Sequence, residues 1–591
     1  MASSVSEKFN RLINAKEQIR KSINKKGVRV TEDLPFEQYS VKIKDIPYYD
    51  DDASSFAKFA SNYFIDTSNS GYQFYANTTI NTVDIDSLNK MGLPRCPNTK
   101  GSFSGCSRLQ SISNLFLANT NSCESMFSSC TSLSTVALTI DSSALLSTYN
   151  MFYNCTNLTT LDLDIKAPNL NSFTCQYMFY NADLSNLQSS KMVFDFPNYK
   201  YLFYQCKTAD LSFLANCKLV SSTNPAPSWQ NMFGWTPSSF ETTDFTIPES
   251  FEYTPPSDMS SLFFSRIPWS SQVNTSIQSF FNTIDLSKVT TLASVFGSIR
   301  PISDFSSINL DIHLPQDGQL CDINGAFSAT NGVSYPNNFN QTFGHFGFNG
   351  KGSASSLFAE ASYTGAQYHP KSYINSLNLP YVTTLESAFT ENRALTGIGS
   401  LITGPNLTNC SRMFYNCMAL TSIPVFNMSK VTTTENMFYY CTNLPTVQLT
   451  LPSVTSTSSM FYNCTSLATA SILNTVKLTI ARYMFQNCSN LTEVTMDVAN
   501  ITNNYAYNNS SSSFYYIFYG CSNLEQVHFR NIKASLDISY STKFTREALL
   551  EIIGNLVNIG ASRTLHMGAT NLAKLTAEDI AIATAKGWTL D

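Results

Sequence analysis

The side chains that could do chemistry in this chain are cysteines, histidines and a few carboxylates, and their spacing decides what they are for. There are 15 cysteines and 5 histidines in 591 residues. The histidines (His313, His345, His369, His528 and His566) are scattered. No Cys-x-x-Cys pair and no Cys/His set has the spacing of a zinc site. Cys123 and Cys130 share their separation with Cys410 and Cys417, but neither pair has a third ligand close by. No Gly-x-Ser-x-Gly elbow, phosphate loop or His-Glu-x-x-His motif occurs. Asp162 and Asp164 flank one strand residue. No other repeat supplies an opposing acid, so they read as a solvated strand face. No catalytic residue, metal site or cofactor is expected.

The cysteines instead mark a repeat. Residues 151–163 read MFYNCTNLTTLDL. The phrase returns as MFSSCTSLSTVAL (126–138), MFYNCMALTSIPV (413–425), MFYYCTNLPTVQL (437–449), MFQNCSNLTEVTM (484–496) and IFYGCSNLEQVHF (517–529). Its phenylalanine falls at Phe74, Phe103, Phe127, Phe152, Phe179, Phe203, Phe233, Phe263, Phe296, Phe327, Phe358, Phe389, Phe414, Phe438, Phe461, Phe485 and Phe518. The shortest step is Phe438 to Phe461 and the longest includes Phe263 to Phe296. A period in this range means stacked units that cannot bury their apolar face alone. Each unit reads F-x-x-C-x-x-L-x-x-V/L-x-L. Its last residues alternate apolar and polar, as a half-buried strand does. Ser/Thr stretches such as 429–436 predict a capped helical turn ahead of Met-Phe. The strands should end near Leu138, Leu163, Val425, Leu449, Ile472 and Met496.

The pattern M-F-x-x-C-x-x-L-x-x-L-x-L resembles the BspA-like (Treponema-type) leucine-rich repeat, over roughly residues 70–530. That family occurs in bacterial surface proteins and bacteriophage virion proteins. The resemblance implies a curved right-handed solenoid with a parallel sheet on one face. Residues 564–590 resemble the segment that closes such arrays. The expected fold is therefore an α/β repeat: an elongated leucine-rich-repeat solenoid with one parallel sheet, an N-terminal helix and a C-terminal α/β cap. The solenoid should occupy 47–541, with about seventeen coils, degenerate at 230–400. The cap, 542–591, should hold helices at 544–556 and 576–587, strands at TLHMG and WTL, and Leu549, Ile552, Ile553 and Trp588 as anchors.

Composition narrows the function. Charged residues make up 13% of the chain and the net charge is −5. With no basic stripe, nucleic-acid binding is not expected. The motif cysteines, once per coil, are explained by packing, and parallel Cβ vectors suit disulfides poorly. Reduced thiols are expected, from a reducing compartment. The first residues lack the apolar core of a secretory leader, no wall-sorting signal is seen, and no run approaches the ~20 apolar residues of a membrane helix.

Residues 1–46 read as a separate helical module. Val5, Phe9, Leu12, Lys16, Ile19 and Ile23 fall at alternating steps of four and three, an a/d seam with one lysine. The seam is a candidate partner or oligomer interface, or else a cover for the first coil. The string FNRLINAKEQIRKSINKKGVRVTEDLPFEQYSVKIKDI resembles N-terminal segments of phage tail and virion proteins. Two further features are candidates for recognition. One is a tyrosine row directly after the phenylalanines, including Tyr153, Tyr180, Tyr415, Tyr439 and Tyr462. The other is the Gly-rich stretch TFGHFGFNGKG (342–352), read as a loop presenting Phe343, His345, Phe346 and Phe348. The expected function is a non-enzymatic virion protein of tail, baseplate or fibre type. It would be assembled in the host cytoplasm and joined to other virion proteins through its N-terminus. A host-surface protein or glycan is a further expected partner. The alternative is a bacterial cell-surface adhesin.

Overall fold

The computed structural model describes residues 96–591, apart from 168–171, 189, 209, 235–243, 265–270, 298–307, 329–339, 360–370, 504 and 561, together with 14, 16–21, 24, 31, 76 and 81–83. Phe74, Val5, Phe9, Leu12 and Ile23 lie outside the described residues. So does most of the 1–46 module, although 16–21 are helical. The chain forms two compact units, and both contain coils of the range predicted as solenoid.

One feature of the repeat controls each coil. In the Phe152 coil, Asn150 (φ 55°) and Asn154 (φ 58°) are left-handed. The equivalent positions, two before and two after the phenylalanine, recur with positive φ in most described coils. Asn tolerates this conformation better than other non-glycine residues. Two such residues close together break a helix. The predicted helical turn is therefore replaced by a tight turn whose N–H groups point to the next coil. Ser125 N donates to Tyr149 O (2.8 Å), Phe127 N to Met151 O (2.9 Å) and Ser129 N to Tyr153 O (2.7 Å).

The first unit consists of 1–208, 212–225 and 248–254. Its sheet orders β1 (Thr82–Val83), β2 (Ser111–Leu117), β3 (Thr135–Asp141), β4 (Thr160–Lys166), β5 (Lys191–Asp195), β6 (Cys217–Val220) and β7 (Glu252–Tyr253) in sequence. Every neighbouring pair is parallel. Alternation buries Leu161, Leu163 and Ile165 of β4 and turns Asp162 and Asp164 outward.

The second unit (209–211, 226–247 and 255–591) carries helix α1 (Ser271–Thr283) and three more parallel sheets. These are β8 (Asn309–Ile312), β9 (Asn340–Phe348), β10 (Lys371–Leu379) and β11 (Leu395–Thr403); β12 (Thr446–Thr450), β13 (Thr469–Leu473), β14 (Glu493–Asp497) and β15 (Gln526–Arg530); and β16 (Leu536–Asp537), β17 (Arg563–His566) and β18 (Trp588–Leu590). Strand pairing in sequence order is as expected. A single sheet is not. The break between β11 and β12 falls in the Phe414 coil, where Val425 is 95% exposed and outside any strand. Pro424 explains it: proline has no N–H for a ladder, and it takes the buried slot that the pattern assigned to its neighbour.

Inside both units the phenylalanines form ladders. Phe103, Phe127, Phe152, Phe179 and Phe203 stack in succession in the first. In the second the ladder runs from Phe233 to Phe518, at centroid spacings of 5.0 to 6.3 Å. It includes Phe296, Phe327 and Phe358 of the degenerate stretch. Nearly parallel rings at this spacing are offset stacks, the favourable arrangement for aromatic quadrupoles.

The cap contains α2 (Arg546–Gly554), α3 (Gly568–Leu572) and α4 (Ala577–Ala585). Thr545 and Thr576 cap α2 and α4, the latter through a reciprocal box with Asp579. Leu549, Ile552, Ile553 and Trp588 are all buried, as the sequence predicts. Arg546 grips Asp579 with two bonds of 2.8 and 2.7 Å.

Candidate recognition surfaces

The motif cysteines are structural donors. Cys130 Sγ lies 3.0 Å from Phe103 O, Cys155 Sγ 3.1 Å from Phe127 O, Cys464 Sγ 3.0 Å from Phe438 O and Cys488 Sγ 3.0 Å from Phe461 O. Each thiol thus gives a second hydrogen bond to the phenylalanine carbonyl of the preceding coil, which already accepts the N–H three residues on, as Phe103 O does from Cys106 N (3.1 Å). Where the motif cysteine is Asn392, its amide donates to Phe358 O instead. Burial pushes the Cys155 and Cys521 thiols up to about 12 and Cys488 well above its ordinary value. That keeps S–H protonated and unreactive. The packing role was legible in the sequence. The donor role was not, because it depends on which carbonyl the next coil presents.

The tyrosine row is confirmed as a row, and it packs as well as faces outward. Tyr153 stacks on Tyr180 at 5.1 Å in the first unit. Tyr439 stacks between Tyr415 (4.8 Å) and Tyr462 (4.6 Å) in the second. Three coils of the first unit add a second tyrosine, Tyr149, Tyr177 and Tyr201. Tyr177 touches Tyr149, Tyr180, Tyr201 and Tyr204. Three successive coils thereby join six partly exposed tyrosines into one patch. Burial is the first cause raising the Tyr177, Tyr180 and Tyr204 hydroxyls above their ordinary range.

The outward strand face of the first unit is charged in alternation. Register sets Asp141 beside Lys166 and Lys166 beside Asp195. Lys166 Nζ lies 3.5 Å from Asp141, and Lys218 pairs with Glu252. Phe116 stands 48% exposed in the same sheet. Asp162 and Asp164 sit in different rows, beside Ala137 and Lys191 and beside Thr139 and Val193, so no acid opposes either one.

The stretch read as a loop at 342–352 is largely strand β9. Phe346 and Phe348 are buried, 0% and 2% exposed, and pair in register with Leu310 and Ile312. Strand alternation puts them in the core. Of the expected contact residues, His345 is the one whose outward side chain is described. Its Nε2 lies 2.8 Å from Asp311 Oδ1 and its Nδ1 2.6 Å from Ser376 Oγ. Three neighbouring strands build this chain. Nothing in the sequence pointed to it, since the residues are far apart and only register brings them together. Of the N-terminal seam, Ile19 is described, and it is 2% exposed within this chain.

A family model described as BspA type leucine rich repeat region matches six times, over residues 72–210, 406–513 and 479–560. The coils of residues 72–210 and 406–560 thus match BspA-type leucine-rich repeats. A second model, described as a Mycoplasma protein of unknown function, matches residues 322–450. No curated protein matches. Among solved structures, a leucine-rich repeat protein from Bacteroides ovatus is 15% identical, covering 73% of this chain and 86% of that one, with a TM-score of 0.32. A leucine rich cell surface protein from Faecalibacterium prausnitzii is 11% identical, covering 76% and 77%, with a TM-score of 0.15. In the BspA-type repeats of this chain, the conspicuous Phe, Cys and Leu positions are internal, so recognition falls to residues that the repeat leaves free.

Proposed function

We propose that this leucine-rich-repeat protein is a non-enzymatic binding and display protein, working as a tail, baseplate or fibre component of a bacteriophage particle. The observation that carries the binding role is the six-tyrosine patch of the first unit. Tyrosine supplies rigid, amphipathic contact area at low entropic cost and is enriched at protein-interface hot spots. The alternating charges on the strand face would add orientation to a protein partner. The placement in a particle rests on the 9–46 segment and its resemblance to phage tail and virion segments. Mass spectrometry of purified particles and of the cell-envelope fraction from the same culture tests that placement. The expected result is recovery with the particles. Recovery with the envelope alone would make the protein a cell-surface adhesin.

A further inference from the structure

We propose that the outward face of the β8–β11 sheet is a carbohydrate-binding subsite with Tyr373 as its stacking platform. Tyr373 on β10 pairs in register with Gly397 on β11. A Cβ at Gly397 would stand 3.3 Å from Tyr373 Cε2 and 3.7 Å from Cδ2. A Cβ at Gly399 would stand 2.9 Å from the Tyr373 hydroxyl and 3.5 Å from Cε1. The ring therefore lies lengthwise over two glycines of the next strand, and any larger residue there would lift it. It is 40% exposed, so one face rests on backbone and the other is open. The stacked tyrosines of the repeat row are packed ring on ring. Tyr373 is instead laid out as a flat platform, the geometry that takes the C–H face of a sugar ring, where apolar contact and the ring quadrupole both favour association.

The polar groups beside it suit the same ligand. Ser376 lies three residues along β10, roughly 10 Å at the strand rise, about the length of a disaccharide; Ile374 and Leu377 are both buried, so the alternation breaks at Asn375 and Tyr373 and Ser376 share the outward face. The Asp311–His345–Ser376 hydrogen-bond chain fixes these groups in orientation, with the Asp311 side chain 47% exposed. Asn375 and Ser400 are exposed on the same sheet. Gly347 leaves room for the Asp311 carboxylate, which an added Cβ would strike. Among the described outward residues of this sheet, the charged groups are Asp311 and, when protonated, its partner His345. The described part of this face thus carries little charge and is rich in hydroxyl and amide groups, unlike the alternating charges of the first unit; the Lys371 side chain, at the start of β10, lies outside the described ones. That complements an uncharged polyol rather than a charged peptide. The same three side chains are not arranged as a hydrolase. Ser376 is on an interior strand, paired with His345 on one side and Ser400 on the other, so the surrounding N–H groups serve the ladders and not an oxyanion.

This inference deepens the binding role and rests on it, without needing the particle. The test uses the full-length protein on an array of neutral oligosaccharides (glucans, mannans, galactans and N-acetylglucosamine oligomers), with calorimetry on the hexasaccharide of any series that binds. At least one series should bind. Tyr373→Ala should weaken it about tenfold, the upper range of one aromatic contact, whereas Tyr373→Phe keeps the platform and should stay within about twofold. Equal melting temperatures for the variants exclude misfolding. No binding to any neutral series overturns the proposal, even if the protein is found in particles. So does binding that survives Tyr373→Ala but is lost in Tyr439→Ala.

Discussion

Where a coil carries the motif cysteine, as at Cys130, Cys155, Cys464, Cys488 and Cys521, its thiol is a buried hydrogen-bond donor, and this gives the protein a specific response to alkali. Cys155 and Cys521 are raised from the ordinary 9.0 to about 12. A raised value favours the protonated thiol in the folded state. The associated stability is full below pH 9, and it is lost as pH rises from there toward about 12. Each such thiol should steepen the fall by up to about 1.4 kcal/mol per pH unit. Urea titrations at a series of pH values above 8 should show this; a flat profile from pH 8 to 11 would contradict the protonated-donor role. Below that range, iodoacetamide should leave the native thiols unmodified, and denaturation without reductant should release nearly all 15. Phe152→Ala and Leu158→Ala, each opening a core cavity, should cost ~2–5 kcal/mol, and Cys155→Ala clearly less.

At the scale of elements, α1 shows how the array protects an open edge. Strand β8 has β9 on one side. On the other, Asn274 Nδ2 donates to Asn309 O (3.0 Å) and its Oδ1 accepts from Asn309 N (2.9 Å). One turn later Gln278 Nε2 donates to Asp311 O (2.8 Å) and its Oε1 accepts from Asp311 N (2.9 Å). Two side-chain amides at i and i+4 thus imitate a neighbouring strand and cover an aggregation-prone edge. Asn274→Leu with Gln278→Leu should destabilise by roughly 1–3 kcal/mol for each group left unpaired and promote aggregation, which light scattering during a thermal ramp would report. The helix was not legible in the sequence, where SSQVNTSIQSFFNTIDL reads as a degraded coil. Its amides gain a meaning only opposite a strand edge. Pro424 was legible in principle, since a missing N–H argues against a strand at that step, but the repeat pattern around it pointed the other way. The two longer helices of the cap and its buried anchors Leu549, Ile552, Ile553 and Trp588 were legible because their pattern is local, whereas the short α3 was not expected. Its Asp579 is held below the usual carboxylate value first by the Thr576 N–H and then by Arg546. A depressed value means stability present above the ordinary 3.8 and lost as pH falls through the folded value. Asp579→Asn should therefore weaken the cap at pH 7 and flatten its acid limb, as hydrogen exchange on α4 would measure.

For the whole molecule, the repeat fixes the coils and parallel pairing because both follow from one periodic phrase. What the phrase does not specify is which residues meet a partner, and the N-terminal segment is the contact proposed for the particle. Val5, Phe9, Leu12, Ile19 and Ile23 are the apolar residues of the expected seam. Ile19 is already covered within this chain, while Lys16, on the same seam, is partly exposed. A single polar site of this kind is tolerated in a helix seam that meets another helix and helps to select it. Removal of residues 1–46 separates the two roles the segment can have. If it attaches the protein to a particle, the 47–591 truncation remains soluble, keeps the wild-type melting temperature within a few degrees, and is missing from purified particles. If it covers the first coil, the truncation exposes a strand edge and apolar side chains, and it aggregates. We expect the soluble, unincorporated product. Incorporation of the truncation at the wild-type level would exclude attachment through this segment, whatever its effect on solubility.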